Sequence, residues 1–490
     1  MQRITLKKEP RLGAKHEGFA YQTEAVRAVR DLEYAAIFHE QGLGKTKIAI
    51  DLLLYWLEKK VVDTVLFVVK KSLVRNWQRE LALHTFITPR VLTQSRKTNF
   101  FVFNSPARVM LAHYEVLASE KERIRLFCQT REVGVVLDES AKIKNPDAAL
   151  TGVLFELAPF FRRRVIMTGT PVANRPHDIW AQIMFLDNGA SLGSDFAEFK
   201  RNVDLSNDLG GDEDAQHQFE EHLADVWPRI SAFSVRENKG TGIISLPEKV
   251  VQSFTADWEP RQFDLYRQVR DGFRAVVIRE GLPAEDKAEV VLKRLLRLVQ
   301  IASNPRLIDS GYCEEPGKMP RLRDVVAKVC GQNEKCIVWT SFTENVDWLT
   351  KELRSYGTRR VHGKLAIDAR NRAIEQFLTE ADARVLIATP GAAKEGLTLT
   401  VANHVVFYDR TFSLDDYLQA QDRIHRITQK KKCFVYNLLM EDSIDQWIDV
   451  LLHAKQMAAQ LAQGDISVEY YRSQMSYDFG DILKGILGID

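Results

Sequence analysis

Short apolar runs alternate with helical patterns through the first half of the chain. YAAIF (34–38), TVLFVV (64–69), RVMLAHY (108–114), VGVVLD (133–138) and RRVIMTG (163–169) are rich in β-branched and aliphatic residues. The last four end in polar loops. Near-continuous apolar runs separated by helical patterns predict strands covered on both faces, as in a parallel α/β sheet. From Pro176 to about Val235 the strand-like runs disappear, and LSNDLGGDEDAQ (205–216) reads as an acidic, glycine-containing loop. A second helical stretch, about 259–308, is amphipathic and rich in arginine. Alternation then resumes with CIVWTSF (336–342), RRVHG (359–363), RVLIATP (384–390), HVVFYD (404–409) and CFVYNLL (433–439). The pattern predicts two α/β lobes, 1–247 and 248–466, with helical insertions at about 176–235 and 259–308. Residues 467–490 form a tail of no assigned role, and no internal repeat is present.

Composition narrows the partners. Lysine and arginine total 68 against 66 acidic residues in 490, so nucleic acid would have to follow a local basic track. Five cysteines (Cys128, Cys313, Cys330, Cys336, Cys433) form no CxxC pair and no zinc-spaced cluster, which fits a reduced compartment. The segment MQRITLKKEPRLG lacks the apolar core of a signal peptide, and no run approaches the roughly 20 apolar residues of a membrane span. The expectation is a soluble, cytoplasmic protein with no membrane partner.

The chemistry begins at HEQGLGKT, 39–46, between the apolar run YAAIF and the helical pattern KIAIDLLLYWLEKK. Backbone N–H groups at a helix N-terminus bind phosphate, and glycines such as Gly42 and Gly44 let the chain approach it. Lys45 adds a point charge and the Thr46 hydroxyl can hold magnesium. His39 stands where a leading glycine is usual. The bland alternative is a glycine turn entering an ordinary helix. DESAKIKN, 138–145, follows the run VGVVLD. Adjacent carboxylates at a strand's end are costly unless they serve a cation or a proton transfer. Asp138 is assigned to magnesium through water, and Glu139 to orienting or deprotonating the attacking water; the competing reading is a solvated acidic turn. The Thr168-Gly169-Thr170-Pro171 turn could link the nucleotide site to the nucleic-acid track. Near the other end, QAQDRIHRITQ (419–429) spaces Arg423 and Arg426 three apart, on one face of an expected helix. A solvated charged face is the alternative there. Against it stands the grouping of Gln419, Asp422, Arg423 and Arg426 over two turns. An arginine reaching a transferring phosphoryl group supplies roughly 10³–10⁵ in rate, or about 4–7 kcal/mol.

In this order the motifs closely resemble the SWI/SNF (sucrose non-fermenting) type ATPases of helicase superfamily two. The resemblance runs over roughly residues 18–450. It is carried by FAYQ, GLGKT, VVKKSLVRNWQREL, HYEVL, DESAKIKN, MTGTPVANRPHDIW, LPEKV, LVQIASNPRLI, IVWTSF, VHG with Arg370 following, EGLTLT and QAQDRIHRITQ. The DE-x-x-x-IKN and DRIHRITQ forms separate it from DEAD-box and restriction-type relatives. It implies two RecA-like parallel-sheet lobes with helical insertions, and nucleotide bound in the interlobe cleft. It also implies an adenine-reading role for Gln22, phosphate and magnesium roles for Lys45 and Thr46, and a hydrolytic role for Asp138 and Glu139. Gln419, Arg423 and Arg426 match the helix that closes on the phosphates. Lys71, Ser72, the loop from Thr168 to Thr170, Ser341 and the loop from Thr398 to Thr400 match positions that grip the DNA backbone. Trp77 lies in the first of these segments and reads as a buried helix tryptophan.

Departures from the family pattern bear on coupling rather than on hydrolysis. Ala141 stands where relatives carry His or Gln, Ala393 and Lys394 replace a glycine pair, and Thr398 replaces an asparagine. The compact insertions leave no room for a histone reader, a nuclease or a zinc module. The tail is open to two readings, a helical brace or a partner-binding segment. The resemblance implies an ATP- and Mg2+-using, DNA-dependent ATPase that moves along duplex DNA and displaces bound proteins or strands. Its protein partners would be separately encoded, in a bacterial, phage or mobile-element setting. A strand-separating DNA or RNA helicase is the second reading, although no inserted hairpin is seen between Val361 and Asn437. A degenerate ATPase fold kept for assembly is the third, and intact Lys45, Asp138, Glu139, Arg423 and Arg426 argue against it.

Overall fold

A computed structural model describes residues 6, 8–172, 174–205, 213–241, 246–280, 288–392 and 398–474. Most of the acidic loop expected at 205–216, the departures at Ala393 and Lys394, and the tail beyond Gln474 lie outside these residues.

The apolar runs of the first half become strands of one sheet. These are β1 (Tyr34–Ile37), β2 (Thr64–Val69), β3 (Arg90–Val91), β4 (Val109–His113), β5 (Val133–Asp138), β6 (Arg163–Met167) and β7 (Ser234–Val235). Their order is β3-β4-β2-β5-β6-β1-β7, and every pairing is parallel. Every residue of β2, β4 and β5 is buried, as strands covered on both faces must be. The helix Lys45–Glu58 buries Ile48, Leu52, Leu53, Trp56 and Leu57 in the core beside Ile37, Val65 and Phe67.

That order positions the candidate site. β5, β6 and β1 are neighbours, with Asp138 paired to Met167 and Met167 paired to Ile37. The chain leaves all three strands at one level of the sheet's carboxyl edge, where open parallel sheets bind ligands. The loops that follow are 139–145, 168–171 and 38–44, the three motif segments.

The second sheet holds β8 (Lys249–Ala256), β9 (Cys336–Trp339), β10 (Thr358–Val361), β11 (Val385–Ala388), β12 (His404–Phe407) and β13 (Cys433–Met440). Its order is β10-β11-β9-β12-β13-β8, again parallel throughout. The expected insertions are helical: Trp180–Asp187, Phe196–Asn202 and Glu213–Ile230 in the first, Pro260–Glu280 and Ala288–Ser303 in the second. Among the described residues no helix is long and apolar enough to cross a membrane.

Two findings differ from the pattern reading. The helix Leu414–Gln421 stops before Arg423, so Arg423 and Arg426 sit in successive turns rather than on one helical face. Three-residue hydrogen bonds replace the helical ones there (Ile424 N to Gln421 O, 3.2 Å; Gln429 N to Arg426 O, 2.8 Å). The Gln429 amide also donates to the Ile424 and Ala402 carbonyls, which holds the turn closed. Second, the compact units divide near residue 244, but Ala458–Tyr471 belongs with the first unit rather than the second. Gly464 has φ +70°, and a Cβ there would come 2.7 Å from the Trp227 ring. Asp465 accepts from Arg236 Nε at 2.7 Å, while Arg236 Nη1 donates to the Phe38 carbonyl at 2.9 Å. The end of the long helix Ile444–Ala462 and the turn after it are therefore built into the nucleotide-motif unit.

Gly357 supplies a direct test of the second unit. Its φ is +63°, and an added Cβ would lie 1.9 Å from the Asp382 carbonyl oxygen. Gly357→Ala is expected to cost well over about 1 kcal/mol, since the new residue fits neither the backbone angle nor the space. A lowered denaturant midpoint by circular dichroism is the expected reading; an unshifted midpoint would contradict the register of β10 against β11.

Candidate functional site

Gly42 and Gly44 take φ values of +87° and +72°, and the second begins the helix Lys45–Glu58. Their conformation turns the loop into the helix N-terminus, the kind of chain end at which backbone N–H groups bind phosphate. The Lys45 ammonium folds back and donates to the carbonyls of His39 (2.9 Å) and Glu40 (3.3 Å). Lys45 thus stands inside the loop that would receive a phosphate. Thr46 sits half-buried in the same turn. His39 does not adopt a positive φ, so the missing leading glycine costs no backbone strain. Burial and the Lys45 charge push its imidazole down to about 4, so the ring is neutral. It stacks on Tyr21 at 6.1 Å.

Gln22 lies directly on this loop. Its Nε2 donates to the Leu43 carbonyl (3.2 Å), as does the Tyr21 hydroxyl (3.0 Å), and its Oε1 accepts from Phe19 N (3.0 Å). A Cβ on Gly44 would come 2.2 Å from Gln22 Nε2, so only glycine fits beneath it.

Asp138 closes β5 with its carboxylate buried. The Trp77 indole donates to Oδ2 at 2.7 Å, and the Tyr114 hydroxyl donates to the Asp138 carbonyl at 2.8 Å. Burial and the neighbouring Glu139 push the Asp138 carboxyl up to about 6, against the pull of Trp77, Lys45 and Lys70. The positive charge of Lys45 and Lys70 therefore compensates this carboxylate only in part. Its Oδ1 has no protein donor among the described residues, and with the Thr46 hydroxyl it makes an all-oxygen donor pair. That suits Mg2+, which takes one or two protein oxygens and completes its shell with phosphates and water. No cluster of three or more His, Cys, Asp or Glu exists among the described residues, so the site does not resemble an all-protein metal cage.

Glu139 adopts φ 53°, ψ 53°, a left-handed conformation costing a non-glycine residue about 1–3 kcal/mol. Its half-buried carboxylate has no protein partner among the described residues. Its charge is close enough to act on the Asp138 carboxyl.

The three loops are wired together by residues the sequence reading passed over. Ser140 Oγ donates to Gln182 Oε1 (2.8 Å), and Gln182 Nε2 donates to the carbonyls of Pro171 (2.9 Å) and Asp178 (2.8 Å). Gly169 meets Gln41 of the phosphate loop, where a Cβ would lie 2.8 Å from Gln41 Cγ and 2.9 Å from its backbone N. Only an adjacency in space, invisible in one dimension, reveals Gln182, Gln41 and Tyr114, and the partner of Trp77.

The residues assigned to a nucleic-acid track fall into two groups. Lys71 and Ser72 are exposed, in the turn after β2, the strand next to β5. Thr168 and Thr170 are buried, and Thr168 Oγ1 accepts from Thr170 N (3.2 Å). In the second unit, Ser341 N donates to Asp409 Oδ1 (2.6 Å), and Asp409 Oδ2 also accepts from Ser303 (2.7 Å) and Thr340 (2.6 Å). Arg426 Nη1 donates to Thr398 Oγ1 (2.9 Å), its Nε donates to the Asp422 carbonyl (2.8 Å), and the Thr400 and Thr428 hydroxyls are 3.1 Å apart. Gln419 is buried and donates to Asp415 (2.6 Å). Arg423 is 6% exposed, and its carbonyl accepts from Leu399 N at 3.0 Å. That excludes a solvated charged face for Arg423. The structure thus gathers 398–400 and 422–429 into one corner of the second unit.

With this geometry in place, comparison with known families is decisive. A SNF2-related domain matches residues 21–307, more than half of the chain, and a helicase conserved C-terminal domain matches 317–428. The chain belongs to the SNF2-related family. Among SNF2-related proteins it is 26% identical over 87% of its length to an uncharacterised ATP-dependent helicase of Mycoplasma pneumoniae. It is 27% identical over 86% of its length to the putative ATP-dependent helicase/translocase YwqA of Bacillus subtilis, and 26% over 84% to the ISWI chromatin-remodeling complex ATPase ISW1 of Saccharomyces cerevisiae. It spans 40%, 46% and 37% of those relatives' own lengths. The SWI2/SNF2 ATPase core of Sulfolobus solfataricus in complex with double-stranded DNA aligns at 22% identity and TM-score 0.43, covering 96% of this chain and all of that one.

The contact between Gly169 and the phosphate loop yields a prediction. Gly169→Ala must displace Gln41 and its backbone, so nucleotide affinity is expected to fall by about tenfold, or ~1.4 kcal/mol. Titration with a fluorescent nucleotide, beside a circular dichroism spectrum matching the parent, checks it. Unchanged affinity would mean that the two loops do not depend on one another.

Proposed function

We propose that this chain hydrolyses ATP and uses the hydrolysis to move along duplex DNA, remodelling or displacing bound proteins or strands. The observation that carries the reading is the pairing of Asp138 with a strained Glu139 whose carboxylate has no partner among the described residues, level with the Lys45 loop and one strand away from it across β6. In this reading Lys45 gives up its two carbonyl partners for the phosphates, and Gln22, already seated on the loop, reads the adenine. Thr46 and Asp138 would hold Mg2+, which supplies charge neutralisation on the phosphates when bound. Glu139 orients the attacking water and takes its proton. Gln419, Arg423 and Arg426 of the second lobe act on the phosphates, the arginines stabilising charge on the transferring phosphoryl group.

Duplex DNA is the proposed track, gripped by Lys71, Ser72, the loop from Thr168 to Thr170, Ser341 and the loop from Thr398 to Thr400. The buried hydroxyls of Thr168 and Thr170 would have to turn outward to take part directly. Relatives named for DNA repair and recombination in Drosophila persimilis and for chromatin remodelling in yeast support a DNA substrate. All described pairings of the second sheet are parallel, which gives no support to an inserted strand-separating hairpin. Bacterial relatives support a bacterial setting, and a cytoplasmic location with separately encoded protein partners is part of the same proposal.

Two substitutions separate the proposed roles. Lys45→Ala should abolish turnover and weaken ATP binding, because its charge is needed wherever phosphate sits. Glu139→Gln should abolish turnover yet retain ATP, since it keeps the shape and the neighbouring Asp138 while removing the base. Turnover and equilibrium ATP binding are measured side by side. Equal loss of affinity in both variants would overturn this division.

The track is tested by comparing equal lengths of duplex DNA, single-stranded DNA and RNA at several salt concentrations. Duplex DNA should stimulate ATPase at least as well as single strands, with little base preference and a steep decline with salt. Displacement of a third strand from a triplex is the mechanical readout. Stimulation by RNA alone, or efficient separation of a blunt forked duplex, would favour the helicase instead.

A further inference from the structure

The helix Val74–His84 starts directly after the exposed turn carrying Lys71 and Ser72. Its Trp77 is 1% exposed and lies against Phe67 of β2 with ring centroids 4.6 Å apart. A tryptophan there would be explained by core packing alone, except that its one polar atom meets Asp138 Oδ2 at 2.7 Å.

A carboxylate turns easily about its last bond, so a buried one needs a donor to select its orientation. An indole N–H suits that task for a metal ligand. It donates without accepting, so it cannot take the metal itself, and it carries no positive charge to compete with a cation. With Oδ2 held, Oδ1 is the oxygen left available, and the Tyr114 hydroxyl fixes the main chain at the same residue. We propose that Trp77 is a positioning residue for the cation site, holding the Asp138 carboxylate so that one chosen oxygen faces a divalent metal bound with nucleotide. The inference rests on the proposed magnesium role of Asp138.

Trp56 provides an internal control. It is equally buried in the same core, and its indole donates to the Arg30 carbonyl at 2.8 Å with no connection to Asp138. Trp56→Phe and Trp77→Phe therefore lose the same volume and one indole hydrogen bond each, to a neutral carbonyl in the first and to the Asp138 carboxylate in the second.

The experiment follows Mn2+ by electron paramagnetic resonance in the presence of a non-hydrolysable ATP analogue, with nucleotide binding in EDTA measured separately. Trp77→Phe is expected to weaken Mn2+ binding by about 10–100-fold, the usual effect of losing a partner that orients a ligand. Metal-free nucleotide binding should stay within about twofold of the parent, and Trp56→Phe should match the parent in both assays. Equal behaviour of the two variants, or loss of metal-free binding as large as the loss of Mn2+ binding, overturns the proposal. If Trp77→Phe does not fold, benzothienylalanine at position 77 keeps the bicyclic shape and removes only the N–H; it should show the same selective loss. Asp138→Asn separates the two claims. Undiminished Mn2+ binding in that variant would sink the magnesium role itself, whereas its loss beside an unaffected Trp77→Phe would sink only the positioning role.

Discussion

Asp138 places a carboxylate at the end of a strand whose every residue is buried, and the arrangement around it follows from that cost. Desolvation alone would protonate the group or exclude it from the fold. The Trp77 indole holds the carboxylate and the Tyr114 hydroxyl holds the main-chain carbonyl of the same residue, neither neutralising the charge, and the ammonium groups of Lys45 and Lys70 offset it only in part. The carboxyl is consequently raised towards 6, as the proposed role in holding a divalent ion requires of a group the protein satisfies only in part. Glu139 extends the same logic to the backbone. Its left-handed conformation costs about 1–3 kcal/mol, and while its carbonyl accepts from Lys142 N at 3.0 Å, its carboxylate gains no hydrogen bond among the described residues. Strain that earns nothing for stability, next to a charge that is under-compensated, is what a site kept for a ligand looks like.

Sheet order converts these local costs into a common site. Because β5, β6 and β1 are adjacent and level, three loops distant in sequence meet without long side chains having to span gaps. Small contacts then suffice to couple them. Gly169 lies against Gln41, and Gln182 bridges Ser140 to Pro171. A change at the phosphate loop reaches the Thr168–Thr170 turn through atoms already in contact, since neither glycine nor backbone offers slack.

Much of this was legible in one dimension. Ten runs became ten strands, most of them because a strand buried on both faces must be apolar throughout, whereas β10 at its sheet's edge keeps Arg359 and Arg360, and the phosphate loop carries its glycines where the backbone turns. The remaining strands were not legible for definite reasons. β3 and β7 are two residues long, too short to carry a pattern, and β8 lies at an edge with five of its eight residues exposed. The arginine pair was expected on a helix because spacing alone cannot distinguish a helical turn from the three-residue turns that Gln429 stabilises. Trp77 was correctly read as buried, yet its role depends on a partner 61 positions away. The bond from Arg236 to Asp465 spans 229 positions and leaves no trace in either segment.

Ala141 gains meaning from the same geometry. It occupies the turn Ser140–Ile143, directly after the strained Glu139, where a methyl group can neither donate nor accept. No side-chain signal can leave the acidic motif at that position. Two of the polar connections the motif does possess point elsewhere: Ser140 to Gln182 and Pro171, next to the Thr168–Thr170 turn, and Asp138 to Trp77 and the helix entered through Lys71 and Ser72. Both lead towards segments proposed to meet the DNA backbone. In this chain, therefore, communication between the acidic pair and the track has physical routes inside the first lobe, and the residue whose loss put coupling in question is not on either of them.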